Sequence, residues 1–143
     1  MIIGIDPGKT GAIAVFDRAR EAVHDIPATV EMVFDLVNGL SPKIAVIELQ
    51  HPRPGNAVAS SAAMMRGYGE LLGVLASQGT RVYTVRPQAW KRHLGLIGQD
   101  KKASLSLARE LFPSLEDRLL RQKDHGRAEA LLIGHAGIKL FDL

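Results

Sequence analysis

Residues 1–17 read MIIGIDPGKTGAIAVFD. Met1 to Ile5 is an apolar run that ends in one carboxylate, Asp6. Pro7 and Gly8 break the run, and Gly11 to Phe16 returns as a second apolar segment. Two such runs around a Pro-Gly break predict a strand, a tight turn and an antiparallel strand. A charge at the end of a central strand is costly unless it is paired or binds a cation. The rest of the chain is therefore read for partners of Asp6.

Outward from this stretch, residues 21–26 continue the meander as a third strand, and Pro27 stops the sheet. Thr29 is placed to cap a helix through about Asn38, with Val30, Val33, Phe34 and Val37 at helical spacing. Lys43 to Leu49, KIAVIEL, is a buried strand by composition and, because a helix intervenes, runs parallel to the first. It too ends in one carboxylate, Glu48. The loop HPRPGN (51–56) precedes a long helix from about Val58 to Gln78, rich in Ala, Ser, Gly and Met. Its glycines cost helix propensity, and they make sense where something packs closely, such as a second helix or a partner subunit. Arg81 to Arg86 is a fifth strand. Pro87 then opens a short helix containing Trp90, Lys91 and Arg92, and Asp100 caps a helix through about Leu111. Ser114 with Asp117 suggests a further helix start, and a last helix runs from about His125 to Lys139, burying Ala128, Leu131, Leu132 and Ile133. The expected architecture is α/β, one domain over residues 1–143. Its mixed five-stranded sheet has the order 3-2-1-4-5, strand 2 antiparallel, with helices on both faces. Asp6 and Glu48 then end neighbouring parallel strands at the carboxyl edge, where open α/β sheets place their sites.

Composition narrows the chemistry. There is no cysteine, which excludes disulfides, thiolate zinc sites and cysteine nucleophiles. No apolar run approaches the roughly 20 residues that span a bilayer, and the amino terminus lacks the basic region and cleavage site of a signal peptide, so a soluble intracellular protein is expected. Eleven of the eighteen Lys/Arg lie between residues 81 and 127, against five acids there. That is the footprint of a polyanion partner, although solvated helix faces produce the same asymmetry.

Two carboxylates at adjacent strand ends repel unless a cation lies between them, and a hard divalent metal such as magnesium suits oxygen donors. A second acidic pair lies in KDHGRAEAL (123–131). His125 and Glu129 are four apart and share a helix face, whereas Asp124 must precede the helix to join Glu129 at a metal. The alternative is an ordinary Asp cap beside a surface His–Glu pair. Asp6, Glu48, Asp124 and Glu129 together suggest two-metal phosphodiester hydrolysis, with ions roughly 3.5–4 Å apart activating a water and stabilising the leaving oxygen. Arg53, Lys91, Arg92, Lys101 and Lys102, together with Lys9, would neutralise phosphates rather than read bases. GIDPGKT (4–10) is not a phosphate-binding P-loop. Three residues rather than four separate its first Gly from Gly-Lys-Thr, and a strand follows instead of a helix.

IIGIDPGKTGAIAVF, VIELQHPRPG, MMRGYGELLGVL, VRPQAWKRHLGLIGQDKKASLSLARELFP and KDHGRAEALLIG together resemble the RuvC-type Holliday junction resolvases. The likeness is to their phage and plastid branch, within the RNase H-like superfamily. It covers nearly the whole chain in the family's order. It implies a homodimeric endonuclease, paired through the helix near 58–78, that makes paired nicks in four-way DNA junctions. It implies two Mg2+ ions, with Mn2+ as a substitute, and a cytoplasmic site of action: the bacterial cytoplasm or nucleoid, or a host cytoplasm for a phage protein. Asp6, Glu48, Asp124 and Glu129 match the catalytic and metal-binding acids. The family's bacterial members carry two aspartates three apart at the last helix. Here the position three before Glu129 is Gly126, so His125 stands as the alternative to Asp124. Trp90 is placed either to stack on DNA or to fill the core. The related readings are an RNase H-like nuclease acting on RNA and a non-catalytic junction-binding protein.

Overall fold

The computed structural model describes residues 1–143. Five strands, β1 (Ile2–Asp6), β2 (Ala12–Phe16), β3 (Glu21–Asp25), β4 (Ile44–Glu48) and β5 (Arg81–Val85), form one sheet in the order β3-β2-β1-β4-β5. β2 is antiparallel to both β1 and β3, while β4 runs parallel to β1 and β5 parallel to β4. Order and directions are those expected from the sequence. The helices are α1 (Val30–Leu40), α2 (Val58–Ser77), α3 (Pro87–His93), α4 (Lys101–Leu111) and α5 (His125–Leu140). The helix start at Ser114 and Asp117 is realised as a 3-10 segment, Pro113–Arg118. Pro113 at its head and the brevity of the run leave no room for an α-helix.

The strand period of two sorts the side chains onto two cores. Ile3, Ile5, Ile13, Val15, Ala45 and Ile47 face α1 and α2, meeting Val33, Val37, Tyr68, Leu71, Val74 and Leu75. The alternate positions Ala12, Ala14, Val23, Val46 and Val85 face α3, α4 and α5, meeting Trp90, Leu105, Ala108, Leu131 and Leu132. β1 and β4 are covered on both faces, as near-continuous apolar strands require. On α1 the expected stripe is half realised: Val33 and Val37 are buried, while Val30 and Phe34 remain exposed. The helix contacts the sheet along a narrower line than the four apolar positions allow.

α5 lies against the sheet with almost nothing between the backbones. A Cβ on Gly4 of β1 would come within 2.5 Å of the Ala130 carbonyl and 2.6 Å of the Gly134 backbone. A Cβ on Gly134 would strike the Phe16 ring, and one on Gly137 the Val46 side chain. This contact fixes the height of α5 over β1. No helix is long and apolar enough to cross a membrane.

Gly4→Ala should overpack this contact and cost about 1–3 kcal/mol, read as a lowered melting temperature. Gly39→Ala on α1, where nothing lies within 4 Å, should instead be neutral or stabilising.

Candidate active site

Ile5 pairs with Ile47 in the β1–β4 ladder, so Asp6 and Glu48 end the two strands side by side. Asp6 falls in the same alternation as Gly4, and Glu48 in the same alternation as Val46. Gly4 and Val46 both face α5, so both acids project to the side where α5 begins. Glu129, in the second turn of α5, meets them there. The flanking Ala128 and Ala130 are fully buried and Glu129 is half-buried.

The electrostatics couple Glu48 and Glu129 to Asp6. Burial pushes the Asp6 carboxyl up, opposed by the Gly8 N–H, which donates to Oδ1 at 3.1 Å, and by the positive charges of His125, Lys91 and Lys101. Burial also pushes Glu48 up, to about 7, opposed by a hydrogen bond from Trp90 and reinforced by Asp6 and Glu129. Glu129 is raised by burial and then by Asp6, with Lys91 and Lys101 acting against the rise. None of the three has a salt-bridge partner within 4.0 Å. The three carboxylates, with or without His125, do not close around one point as a ready-made metal cluster, and repulsion between carboxylates favours such splaying. Desolvated hard oxygen donors, with Asp6 raising both Glu48 and Glu129, fit a divalent cation such as Mg2+ or Mn2+ in donor chemistry.

Asp124 is not part of this group. It is buried at the head of α5 and turned into an arginine clamp. Arg121 donates to it from its backbone N (2.9 Å), Nε (3.3 Å) and Nη2 (2.9 Å), and Arg127 Nη1 lies at 3.4 Å. Arg127 also grips Asp25 at the end of β3 through Nε and Nη2, both at 2.6 Å. The Arg121 hydrogen bonds hold the Asp124 carboxyl below its ordinary range. His125, by contrast, acts on Asp6, and its Nε2 lies 3.4 Å from Lys101 Nζ. Of the two residues left open by the sequence, His125 is the one that acts on Asp6, while Asp124 is taken up by arginines. Arg127 and Asp25 are 102 residues apart, so no spacing in the sequence points to their pairing.

Among the cations singled out in the sequence, Lys91 and Lys101 act on the acids. Lys9, Arg53, Arg92 and Lys102 are exposed. Lys9 lines a concavity of about 290 Å3 together with Arg121, Lys123 and Arg127. Trp90 is fully buried and cannot stack on a nucleic acid.

The Glu48 shift has a consequence for stability. Below about pH 4.5 both the folded and unfolded states carry a protonated Glu48. As pH rises from there to about 7, only the unfolded state ionises, so stability falls, and above that the full cost applies. Without divalent ions, Glu48→Gln should therefore raise the melting temperature at pH 8 and leave it unchanged at pH 4. The gain should be on the order of 3 kcal/mol. Asp124→Asn should do the opposite: it should lower the melting temperature at neutral pH, with the difference fading as acid titrates the wild-type carboxylate.

No protein-family model matches the sequence. Over 88 residues, 61% of its length, the chain is 40% identical to the chloroplastic Holliday junction resolvase MOC1 of Chlamydomonas reinhardtii, and the match takes in 10% of that protein. Thermus thermophilus RuvC in complex with Holliday junction substrate superposes with a TM-score of 0.68 at 15% identity, covering 97% of this chain and 94% of that one. The fowlpox virus Holliday junction resolvase gives 0.56 at 15% identity over 98% of both chains. With a sheet order, strand directions and helix placement that are those of RuvC, the chain has the RNase H-like RuvC-type fold and is related in sequence to a Holliday junction resolvase.

Proposed function

We propose that this chain is a structure-selective endonuclease that resolves four-way DNA junctions by divalent-cation-dependent phosphodiester hydrolysis. The observation that carries the reading is the convergence of three desolvated carboxylates, Asp6, Glu48 and Glu129, from β1, β4 and α5 of a RuvC-type fold. Its sequence relative is named as a Holliday junction resolvase.

Asp6, Glu48 and Glu129 would hold the cation, and His125 rather than Asp124 is the fourth member of the set. A pair of bound Mg2+ ions would supply an activated water and charge stabilisation at the leaving oxygen. Lys91 and Lys101 flank the acids and offset the charge of a phosphodiester brought against them. Lys9, Arg53, Arg92 and Lys102 contribute further phosphate contacts that set affinity and position rather than sequence preference. Asp124 serves the site indirectly, anchoring the head of α5 through Arg121 and Arg127 to Asp25.

Paired nicks in opposing strands need two such sites. Along α2, Ala62, Met65, Gly69, Gly73 and Ala76 share one exposed face, and nothing lies within 4 Å of where a Cβ would stand on Gly69 or Gly73. Two copies pairing along this face would bring their helices into close contact. Gly73→Arg should then give a folded monomer in sedimentation velocity.

A labelled synthetic four-way junction, incubated with Mg2+ and with EDTA beside linear duplex and an RNA–DNA hybrid, tests the activity. Symmetric Mg2+-dependent nicks on the junction are expected. Asp6→Asn and Glu48→Gln should each lower cleavage by at least a hundredfold while retaining junction binding. Cleavage of the hybrid instead would assign the site to RNA, and binding without cleavage would make the chain a junction-binding protein.

A further inference from the structure

Trp90 is the only tryptophan in the chain and is fully buried, packed with Leu131, Leu132 and Leu105 in the core beneath α5. Phenylalanine or leucine could fill apolar space without bringing in a polar group. An indole brings an N–H that must find an acceptor when buried. Here the acceptor is not in the core. Trp90 Nε1 donates to Glu48 Oε2 at 2.6 Å, and Gln50 Nε2 donates to Oε1 at 3.2 Å. The tie follows from topology: Glu48 pairs with Val85 at the end of β5, and α3 starts two residues later. The ring is held by packing on all sides, so its N–H direction is fixed by the core.

A carboxylate offers about four acceptor positions. The two side-chain donors occupy one on each oxygen and leave the others free, so the clamp orients Glu48 without using up its capacity for a cation. The same ring carries Lys91, whose Nζ lies 5.3 Å from the ring centroid. One buried side chain thus touches both an acid of the candidate site and a cation that acts on all three acids.

We propose that Trp90 is a positioning residue for the active site, its indole N–H fixing the Glu48 carboxylate in the orientation that receives the divalent cation. This rests on the reading of Asp6, Glu48 and Glu129 as the cation site.

Because there is a single tryptophan, replacing tryptophan throughout the protein changes only this position. Benzothienylalanine substitutes sulfur for the N–H at nearly constant shape, and 5-fluorotryptophan keeps the N–H as a control. The sulfur analogue is expected to bind Mg2+ about tenfold more weakly by calorimetry, in line with loss of a hydrogen bond to a charged group. Junction cleavage at subsaturating Mg2+ should fall in parallel and largely recover at high Mg2+. Junction binding in EDTA should stay within about twofold, and the fluorinated protein should match wild type. Wild-type Mg2+ affinity in the sulfur analogue would overturn the proposal.

Should the analogue fail to fold, the single indole 1H–15N resonance of the unmodified protein decides. It should shift on Mg2+ addition and move again in Glu48→Ala, whereas a resonance indifferent to both would overturn the proposal. An unmodified protein that neither binds Mg2+ nor cuts a junction overturns the nuclease reading itself, and the proposal with it. That outcome is distinct from a defect confined to the analogue.

Discussion

The seating of α5 directly on β1 is the constraint on which the site depends. Gly4 and Gly134 remove the side chains that would otherwise hold the two backbones apart. Glu129 can then come down beside Asp6 and Glu48, which reach only a short way beyond the sheet edge. A larger residue at either glycine would lift the helix and separate carboxylates whose effect depends on a few ångströms. Gly126 extends the same contact to the β1–β2 turn, where a Cβ would strike the Thr10 carbonyl. The closeness of helix and sheet is set along about three turns by small residues, and the chemistry sits at one end of it.

The cost of that arrangement is electrostatic. Burial raises all three acids, and their mutual repulsion adds to the rise at Glu48 and Glu129. An isolated protein gains nothing from such a cluster, because each ionised carboxylate has given up water without gaining a salt bridge. Lys91 and Lys101 soften the cost without forming ion pairs within 4.0 Å. The neighbouring Asp25–Arg127–Asp124–Arg121 network has the opposite character. There the acids are paired with guanidinium groups and held below their ordinary range. Two acidic clusters at the head of one helix thus differ in kind: one is satisfied by the protein, and the other is left with capacity for something else. This contrast, more than the number of acids, separates the candidate site from its support.

Much of this was legible in the residues. Apolar runs ending in Asp6 and Glu48, with a helix between them, set the parallel pairing and placed both acids at one edge. Glu129 stood out as an acid next to the buried Ala128 and Leu131 of the last helix. The roles of Asp124 and Trp90 were not legible. Asp124 lies next to His125 in sequence, yet the chain turns from a 3-10 segment into α5 between them, and they leave toward different neighbours. Its partnership with Arg127, and through it with Asp25, joins segments far apart in the chain. Trp90 read as a core residue ahead of a stacking platform, but the hydrogen bond that defines it spans 42 residues.

Sequence alone determined what local rules govern: the strand period of two, the helix starts at Thr29 and Asp100, the absence of thiol chemistry, and the pairing of two acids at one sheet edge. These follow from backbone geometry and solvation, which act over a few residues. Tertiary structure decided which side of the α5 start faces the acids, which acid is already satisfied, and which buried donor holds Glu48. Those depend on distances between side chains brought together by packing, and electrostatic and hydrogen-bond energies change steeply over distances that no sequence spacing specifies.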